Sequence, residues 1–201
     1  MLTLPTIRSR LRQHEPGAIP NLTTARRAAV AVILRGIEGT APEILFIKRA
    51  EHDGDPWSGH MAFPGGHFDA VDESLTATAI RETHEEIGLD LARHGQLIGR
   101  IEHEQAAPPS RPAGMLVAPY VFALSTSPPL VLSHEVAEVV WTPLHRLVTG
   151  VDHTRMQRYG RGALGTFPGY LVGEGQFVWG LTYRMLHTFL RAVEPDWLPP
   201  D

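Results

Sequence analysis

The stretch Ala28 to Leu34 (AAVAVIL) is an unbroken run of small and β-branched apolar residues, the pattern of a buried strand. A strand that is apolar at every position has no face to offer water, so it demands covering layers on both sides. Other segments supply the rest of a sheet. Glu43 to Lys48 (EILFIK) reads as a second strand, paired with the first across a turn at Gly36 to Pro42. Leu97 to Glu102, Met115 to Leu124 and Val136 to Trp141 read as further strands, the first two flanking a loop at Gln105 to Gly114. Met61 to Phe63 is a shorter apolar piece before the turn Pro64-Gly65-Gly66.

Helices are expected at Leu4 to His14, stopped by Pro16 and Pro20, and at Ser74 to Ile87, started at Glu73 or Ser74 and stopped at Gly88. A short helix follows Pro143 (Leu144 to Val148), and a last one covers Phe177 to Val193, where most apolar residues fit one face. Strands here neither alternate regularly with helices nor run without them. The expected class is therefore α/β, a mixed β-sheet with helices on both faces. With 201 residues and no repeat, low-complexity tract or linker, the chain is read as one domain.

Chemistry concentrates on the helix Ser74 to Ile87. Glu82, Glu85 and Glu86 stand at i, i+3 and i+4, so their carboxylates share one side, while Ala79, Ile80, Thr83 and Ile87 can face the sheet. Like charges so placed repel, unless a divalent cation sits among them. Hard oxygen donors in a tight group suit Mg2+ or Mn2+. Paired glutamates on a helix are most often a solvated surface, and the neighbours are what change the reading. Gly65-Gly66 lets the backbone approach a ligand and offers a carbonyl oxygen to a metal. Arg81 adjoins Glu82, and Glu73 lies about two helical turns earlier, where it can hold Arg81 in an ion pair.

Taken in order, Gly65-Gly66, Glu73 and Arg81-Glu82-Thr83-His84-Glu85-Glu86-Ile87-Gly88-Leu89 resemble the Nudix box, the signature of hydrolases acting on a nucleoside diphosphate linked to another group. Two departures stand out. Six residues separate Gly66 from Glu73 where the general box has five, and Thr83 replaces an aliphatic residue. The resemblance implies a Nudix-type α/β/α sandwich over 1–201, with an N-terminal extension at 1–24 and the box at 65–89. It implies metal ligation by Glu82, Glu85, Glu86 and a backbone carbonyl at Gly66, and support of the site by Glu73 and Arg81. Catalysis falls to Glu82 and Glu85 of the box, with Glu135, ahead of the strand Val136 to Trp141, as the candidate base from outside it. Glu102 and Glu104, bordering the loop Gln105 to Gly114, are its rivals.

The run Ile44 to Gly66 (ILFIKRAEHDGDPWSGHMAFPGG) resembles the segment before the box in the coenzyme A pyrophosphatase branch, through Arg49, Gly59 and Phe63-Pro64-Gly65-Gly66. The six-residue spacing to Glu73 and the late segment FVWGLTYRML (Phe177 to Leu186) agree with that branch. Three features depart from it: Ile47 replaces a threonine, the basic residue expected after Arg49 is missing from Glu51 to Asp55, and the spacing to Gly59 is one residue longer. Arg49, Lys48 and His60 are the candidate substrate-binding residues, with His67 beside them. Trp57 and Tyr120 are aromatics for base stacking or the core.

The expected substrate is a small nucleoside diphosphate derivative, coenzyme A or acyl-CoA among them, with ADP-ribose, NADH and dinucleoside polyphosphates as alternatives and a noncatalytic nucleotide sensor as the rival class. A net charge of −4 leaves no basic surplus for nucleic acid or an anionic membrane. No run of about 18 apolar residues spans a bilayer, and the N-terminus carries no secretory pattern. Cysteine is absent, which excludes disulfides, thiolate metal sites and cysteine nucleophiles and suits a cytoplasmic location. The 11 histidines form no HExxH pair, which disfavours a zinc hydrolase. A homodimer stays open.

Overall fold

The computed structural model describes residues 2–19, 26–36, 41–52, 57–106, 114–160 and 163–200. Parts of the turn expected at 36–42, of the acidic stretch 51–55 and of the loop 105–114, together with the stop at Pro20, lie outside the described residues.

In chain order the elements are α1 (Leu4–Gln13), β1 (Arg26–Arg35), β2 (Glu43–Arg49), β3 (Met61–Ala62), β4 (Gly65–His67), α2 (Leu75–Ile87), α3 (Leu91–His94) and β5 (Gly95–Arg100). There follow β6 (Glu104–Ala106), β7 (Met115–Leu124), β8 (Val136–Pro143), α4 (Leu144–Thr149), β9 (His153–Gly160), β10 (Ala163–Val172), β11 (Gln176–Trp179) and α5 (Gly180–Val193). The main sheet runs β3-β2-β1-β7-β5, with β4 also on β1, β6 on β7 and β8 on β2. It is mixed: β1 and β7 are parallel from Arg26↔Met115 to Leu34↔Ala123, and the other pairs are antiparallel. A second sheet, β11-β10-β9, is antiparallel throughout.

Strand β1 fulfils the demand its composition makes. Ala29, Ala31 and Ile33 point into a core shared with Leu75, Ala79 and Ile87 of α2. Ala28, Val30, Val32 and Leu34 point into the opposite core, with Ile7 and Leu11 of α1, Leu144 of α4 and Met185 and Phe189 of α5. Burial on both faces is what an all-apolar strand requires, so the mixed α/β expectation holds.

Three expectations change. The pairing of β1 with β2 is confined to Leu34↔Ile44 and Arg35↔Glu43. Beyond that point the two strands separate, β2 pairing with β8 and the first half of β1 with β4. Composition marks strands but not partners, because pairing is decided by the whole sheet. The expected turn at Gly65-Gly66 is instead strand β4, in register Ala29↔Gly66 and Val30↔Gly65. The last helix begins at Gly180, and Gln176–Trp179 are strand β11, because β10 pairs with them from Gly169↔Trp179 to Val172↔Gln176. Strands β9 and β10 carry no strong alternation, so local pattern does not mark them.

Helix α2 matches its sequence closely. Ser74 Oγ accepts from the Ala77 amide at 3.1 Å, capping the N-terminus. Gly88 ends the helix with φ 67°, the left-handed cap that glycine adopts without penalty. Thr83, the departure from the box, is fully buried, and its Oγ1 donates to the Ala79 carbonyl at 2.7 Å, so its hydroxyl is satisfied. No described helix is long and apolar enough to cross a membrane.

On the α5 side His187 is 8% exposed, its ring 3.9 Å from that of Tyr183 and 4.8 Å from that of Trp197. Burial, with Arg191 and His153 adding to it, pushes the imidazole down to about 4. The folded state therefore binds this proton less readily than the unfolded chain, where the group titrates near its ordinary value. Its contribution to stability is complete above about pH 6.5 and is lost as pH falls toward 4, on the order of 2 kcal/mol by pH 5. Urea unfolding at pH 7.5 and pH 5 is expected to show this slope in the wild type and a flatter one in His187→Phe; equal slopes would contradict it.

Candidate active site

The separation of β1 from β2 opens a wedge in the sheet, and residues 61–67 fill it, pairing first with β2 and then with β1. This brings Gly65 and Gly66 under the acidic side of α2. The Gly65 amide donates to Glu86 Oε2 at 2.9 Å. A Cβ on Gly66 would lie 2.5 Å from Glu82 Cδ, so the missing side chain is the space that the Glu82 carboxylate fills.

Both carboxylates are held away from bulk water. Glu86 is 3% exposed, and burial, reinforced by the charges of Glu82 and Glu135, pushes its carboxyl up to about 8 against the opposing Gly65 hydrogen bond and Arg49. Burial raises Glu82 as well, and Glu85 and Glu135 add to it while the Arg81 hydrogen bond opposes it. Glu135 is thus brought to the box acids although it lies about fifty residues away in the chain. The segment before it is clipped to the end of α2: the Val131 amide donates to the Ile87 carbonyl at 3.0 Å, and the Ser133 amide to the Glu86 carbonyl at 2.9 Å. These are helix-end carbonyls that lack partners within α2. The Ala50 amide then donates to the Glu135 carbonyl at 2.8 Å, tying the loop to the end of β2. The rival bases lie elsewhere. Glu102 meets His14 at 3.2 Å, and Glu104 meets Arg184 at 3.1 Å, both against the α1/α5 side.

The expected Glu73–Arg81 pair is corrected. Arg81 donates from Nε to Asp72 Oδ1 and from Nη2 to Asp72 Oδ2, each at 2.9 Å, while Glu73 is exposed. Ser74 caps the helix, which leaves Glu73 outside the first turn, whereas Asp72 is also fastened by Thr78 Oγ1 at 2.9 Å. Asp72 stands at the five-residue spacing from Gly66 that the general box prescribes for its acid. The forked pair with Arg81 holds the Asp72 carboxyl far below the usual carboxylate range. Arg81 also donates to the His67 carbonyl at 3.1 Å and, from Nη1, to Glu82 and Glu85 at 2.9 Å each. One guanidinium thereby ties β4, the loop before α2 and two box acids together. Asp72→Asn is expected to cost about 2 kcal/mol and to lower the thermal midpoint by about 4–8 °C. Glu73→Gln is expected to change stability by no more than about 0.5 kcal/mol. The reverse ranking in thermal melts would restore Glu73 as the partner.

The substrate-binding candidates separate into two places. The charge of Arg49 acts on Glu86 and on His67, which it helps to lower after burial and Arg26. Lys48, one residue earlier, lines a cavity with His60 instead. Tyr120 lies in β7 and packs against the α2-side core, and Trp57 is half-buried in the turn before His60.

Among the described residues, no three histidine, aspartate or glutamate side chains are gathered as a ready-made metal cage. The donor set still fits a small hard cation, which takes one or two carboxylates and completes its shell with water and substrate oxygens. Glu82 and Glu86 are carboxylates in mutual repulsion, drawn close to backbone at a position where glycine leaves room.

A family model described as the NUDIX domain matches residues 25–176. An uncharacterized Schizosaccharomyces pombe protein is 34% identical over 165 residues, 73% of this chain; the chain spans about half the length of that relative, 50%. An uncharacterized Nudix hydrolase, NudL of Yersinia pestis, is 31% identical over 172 residues, covering 85% of this chain and 81% of its own length. Among solved structures, a MutT/nudix family protein from Enterococcus faecalis superposes with a TM-score of 0.57 at 18% identity, covering 96% of this chain and 70% of that one. A NUDIX hydrolase from Alicyclobacillus acidocaldarius gives 0.55 at 20% identity, covering 84% and 92%. Both likenesses are of fold.

Proposed function

This chain belongs to the Nudix family, and from that premise we propose that it hydrolyses the diphosphate bond of a nucleoside diphosphate derivative, with Mg2+ or Mn2+ held by Glu82 and Glu86. The observation that carries this reading is the close approach of β4 to α2: the Gly65 amide donates to Glu86 Oε2, the Glu82 carboxylate fills the space a Cβ on Gly66 would take, and the charge of Glu135 acts on both acids. A divalent cation bound there supplies charge neutralisation and Lewis acidity at the diphosphate. Glu82 and Glu86 supply hard oxygens on a rigid helix, and the Gly65 amide fixes the Glu86 rotamer. Glu85, 56% exposed and held by Arg81, shares outer coordination. The carboxylate of Glu135, on an exposed loop tied to both α2 and β2, takes the proton of the attacking water. Arg49, whose charge acts on Glu86 and on His67, contributes to holding phosphate. Arg81 and Asp72 position the box acids without touching the reacting atoms. The organisation as one domain over 1–201, extended at 1–24, belongs to the same proposal.

Coenzyme A or acyl-CoA is the substrate this reading favours. Its support is the run Phe63-Pro64-Gly65-Gly66 together with Arg49, whose charge acts on Glu86. Coenzyme A, acyl-CoA, ADP-ribose, NADH and dinucleoside polyphosphates should be incubated with the protein and each metal, and products identified by mass. Formation of phosphopantetheine and 3′,5′-ADP is the expected result. Turnover of another compound with no response to coenzyme A would move the substrate and keep the activity, whereas ligand binding without any phosphate product would turn the reading to a sensor.

A further inference from the structure

At the end of β2 lies a cavity of about 350 Å³ between the main sheet and the second one. Its wall includes Lys48 and His60 from the main-sheet side and Arg158, Gln176, Phe177 and Trp179 from β9 and β11. Among the described residues, two cations face it against one acid, Glu174, which is exposed on the turn at its rim. Among the described residues no carboxylate pairs with Lys48 or Arg158. Glu138, the cross-strand neighbour of Lys48, accepts instead from Gln176 Nε2 at 2.8 Å. The Arg158 guanidinium packs 5.2 Å over Phe177 and donates to the Gln157 carbonyl at 2.9 Å, which orients its fork. Trp179 packs at a tilt against His60 and Phe167, each with ring centroids 4.9 Å away, so its indole is held in place before any ligand arrives.

Two cations and a preordered aromatic wall are the chemistry that recognises a phosphorylated nucleoside. Guanidinium and ammonium groups bind phosphate through charge-assisted hydrogen bonds, and an indole face binds a base by stacking. The place is also right. Consecutive residues of β2 serve the two ends, Arg49 acting on Glu86 and Lys48 facing the cavity. Neighbouring strand residues face opposite sides of a sheet, so a substrate cleaved at Glu82 and Glu86 reaches the cavity by passing around the end of β2.

We propose that this cavity holds the nucleoside end of the substrate, base against Trp179 and a phosphate monoester between Lys48 and Arg158. The chain then selects diphosphates that carry an additional phosphate. This rests on the hydrolase reading above and names the residues that select its substrate.

Calorimetric titration of 3′,5′-ADP and of AMP, without divalent metal, tests the cavity apart from catalysis. The wild type is expected to bind the bisphosphate about tenfold more tightly, the value of one charge-assisted contact set. Arg158→Gln and Lys48→Gln should each bring that ratio close to one, the second variant guarding against misfolding of the first. Trp179→Ala should weaken both nucleotides about tenfold. Equal affinity of the wild type for the two nucleotides, or a ratio unmoved by both charge substitutions, overturns the proposal. A retained preference without hydrolysis of coenzyme A would leave the cavity standing and remove only the favoured substrate; hydrolysis with no preference would do the reverse.

Discussion

Glu86→Gln is expected to lower metal-dependent hydrolysis by roughly 10²–10³-fold while leaving the fold intact. The substitution keeps the shape of a side chain that is 3% exposed and still accepts from the Gly65 amide. It removes the charge that burial, with Glu82 and Glu135 adding to it, disfavours in the metal-free protein. Without metal, the variant should melt no lower than the wild type. With Mg2+ at about a hundred times its dissociation constant, the wild type gains about 2.7 kcal/mol by mass action, and the variant should lose most of that gain. Thermal melts with and without Mg2+, beside rate measurements, separate the outcomes. Full activity, or an unchanged response to Mg2+, would remove Glu86 from the metal site.

The second large effect belongs to Gly65. Its φ of 148° lies where side chains are strained, and an added Cβ would stand 2.2 Å from the Ala29 carbonyl oxygen and 2.5 Å from Val30 Cα. Those atoms belong to β1, buried on both faces and unable to retreat. Gly65→Ala should therefore cost about 3 kcal/mol or more and depress the thermal midpoint on the order of 10 °C. Gly66→Ala makes the contrast. Its Cβ would meet the far end of the Glu82 side chain, 2.5 Å from Cδ, which can swing away. That variant should keep most of its stability and lose its response to metal. If both alanines melted like the wild type, the close approach of β4 to β1 and α2 would be wrong.

Much of the site was legible from local rules. The spacing of Glu82, Glu85 and Glu86 is a statement about one helix, and the helix has the cap at Ser74 and the stop at Gly88 that its sequence announces. The all-apolar β1 needed two covering layers, and it has them. Spacing along the chain points Arg81 to Glu73, whereas Ser74 caps the helix and leaves Asp72 to fold back beneath the guanidinium. Glu135 was named from its position before a strand, but only the clip of residues 131–133 onto α2 explains how it reaches the box.

Sequence alone determined the acidic helix, the glycines opposite it and the family they resemble, since these depend on residues close together in the chain and on helical periodicity. Tertiary structure decided the rest. It separated β1 from β2 to admit β4, split Lys48 from Arg49, and set Arg158 and Trp179 beside a strand more than a hundred residues earlier. Strands β9 and β10 carry no chemical motif, and their side chains acquire a role only through what the sheets place against them. A contact between distant segments depends on register and packing across the whole fold, which no local pattern encodes.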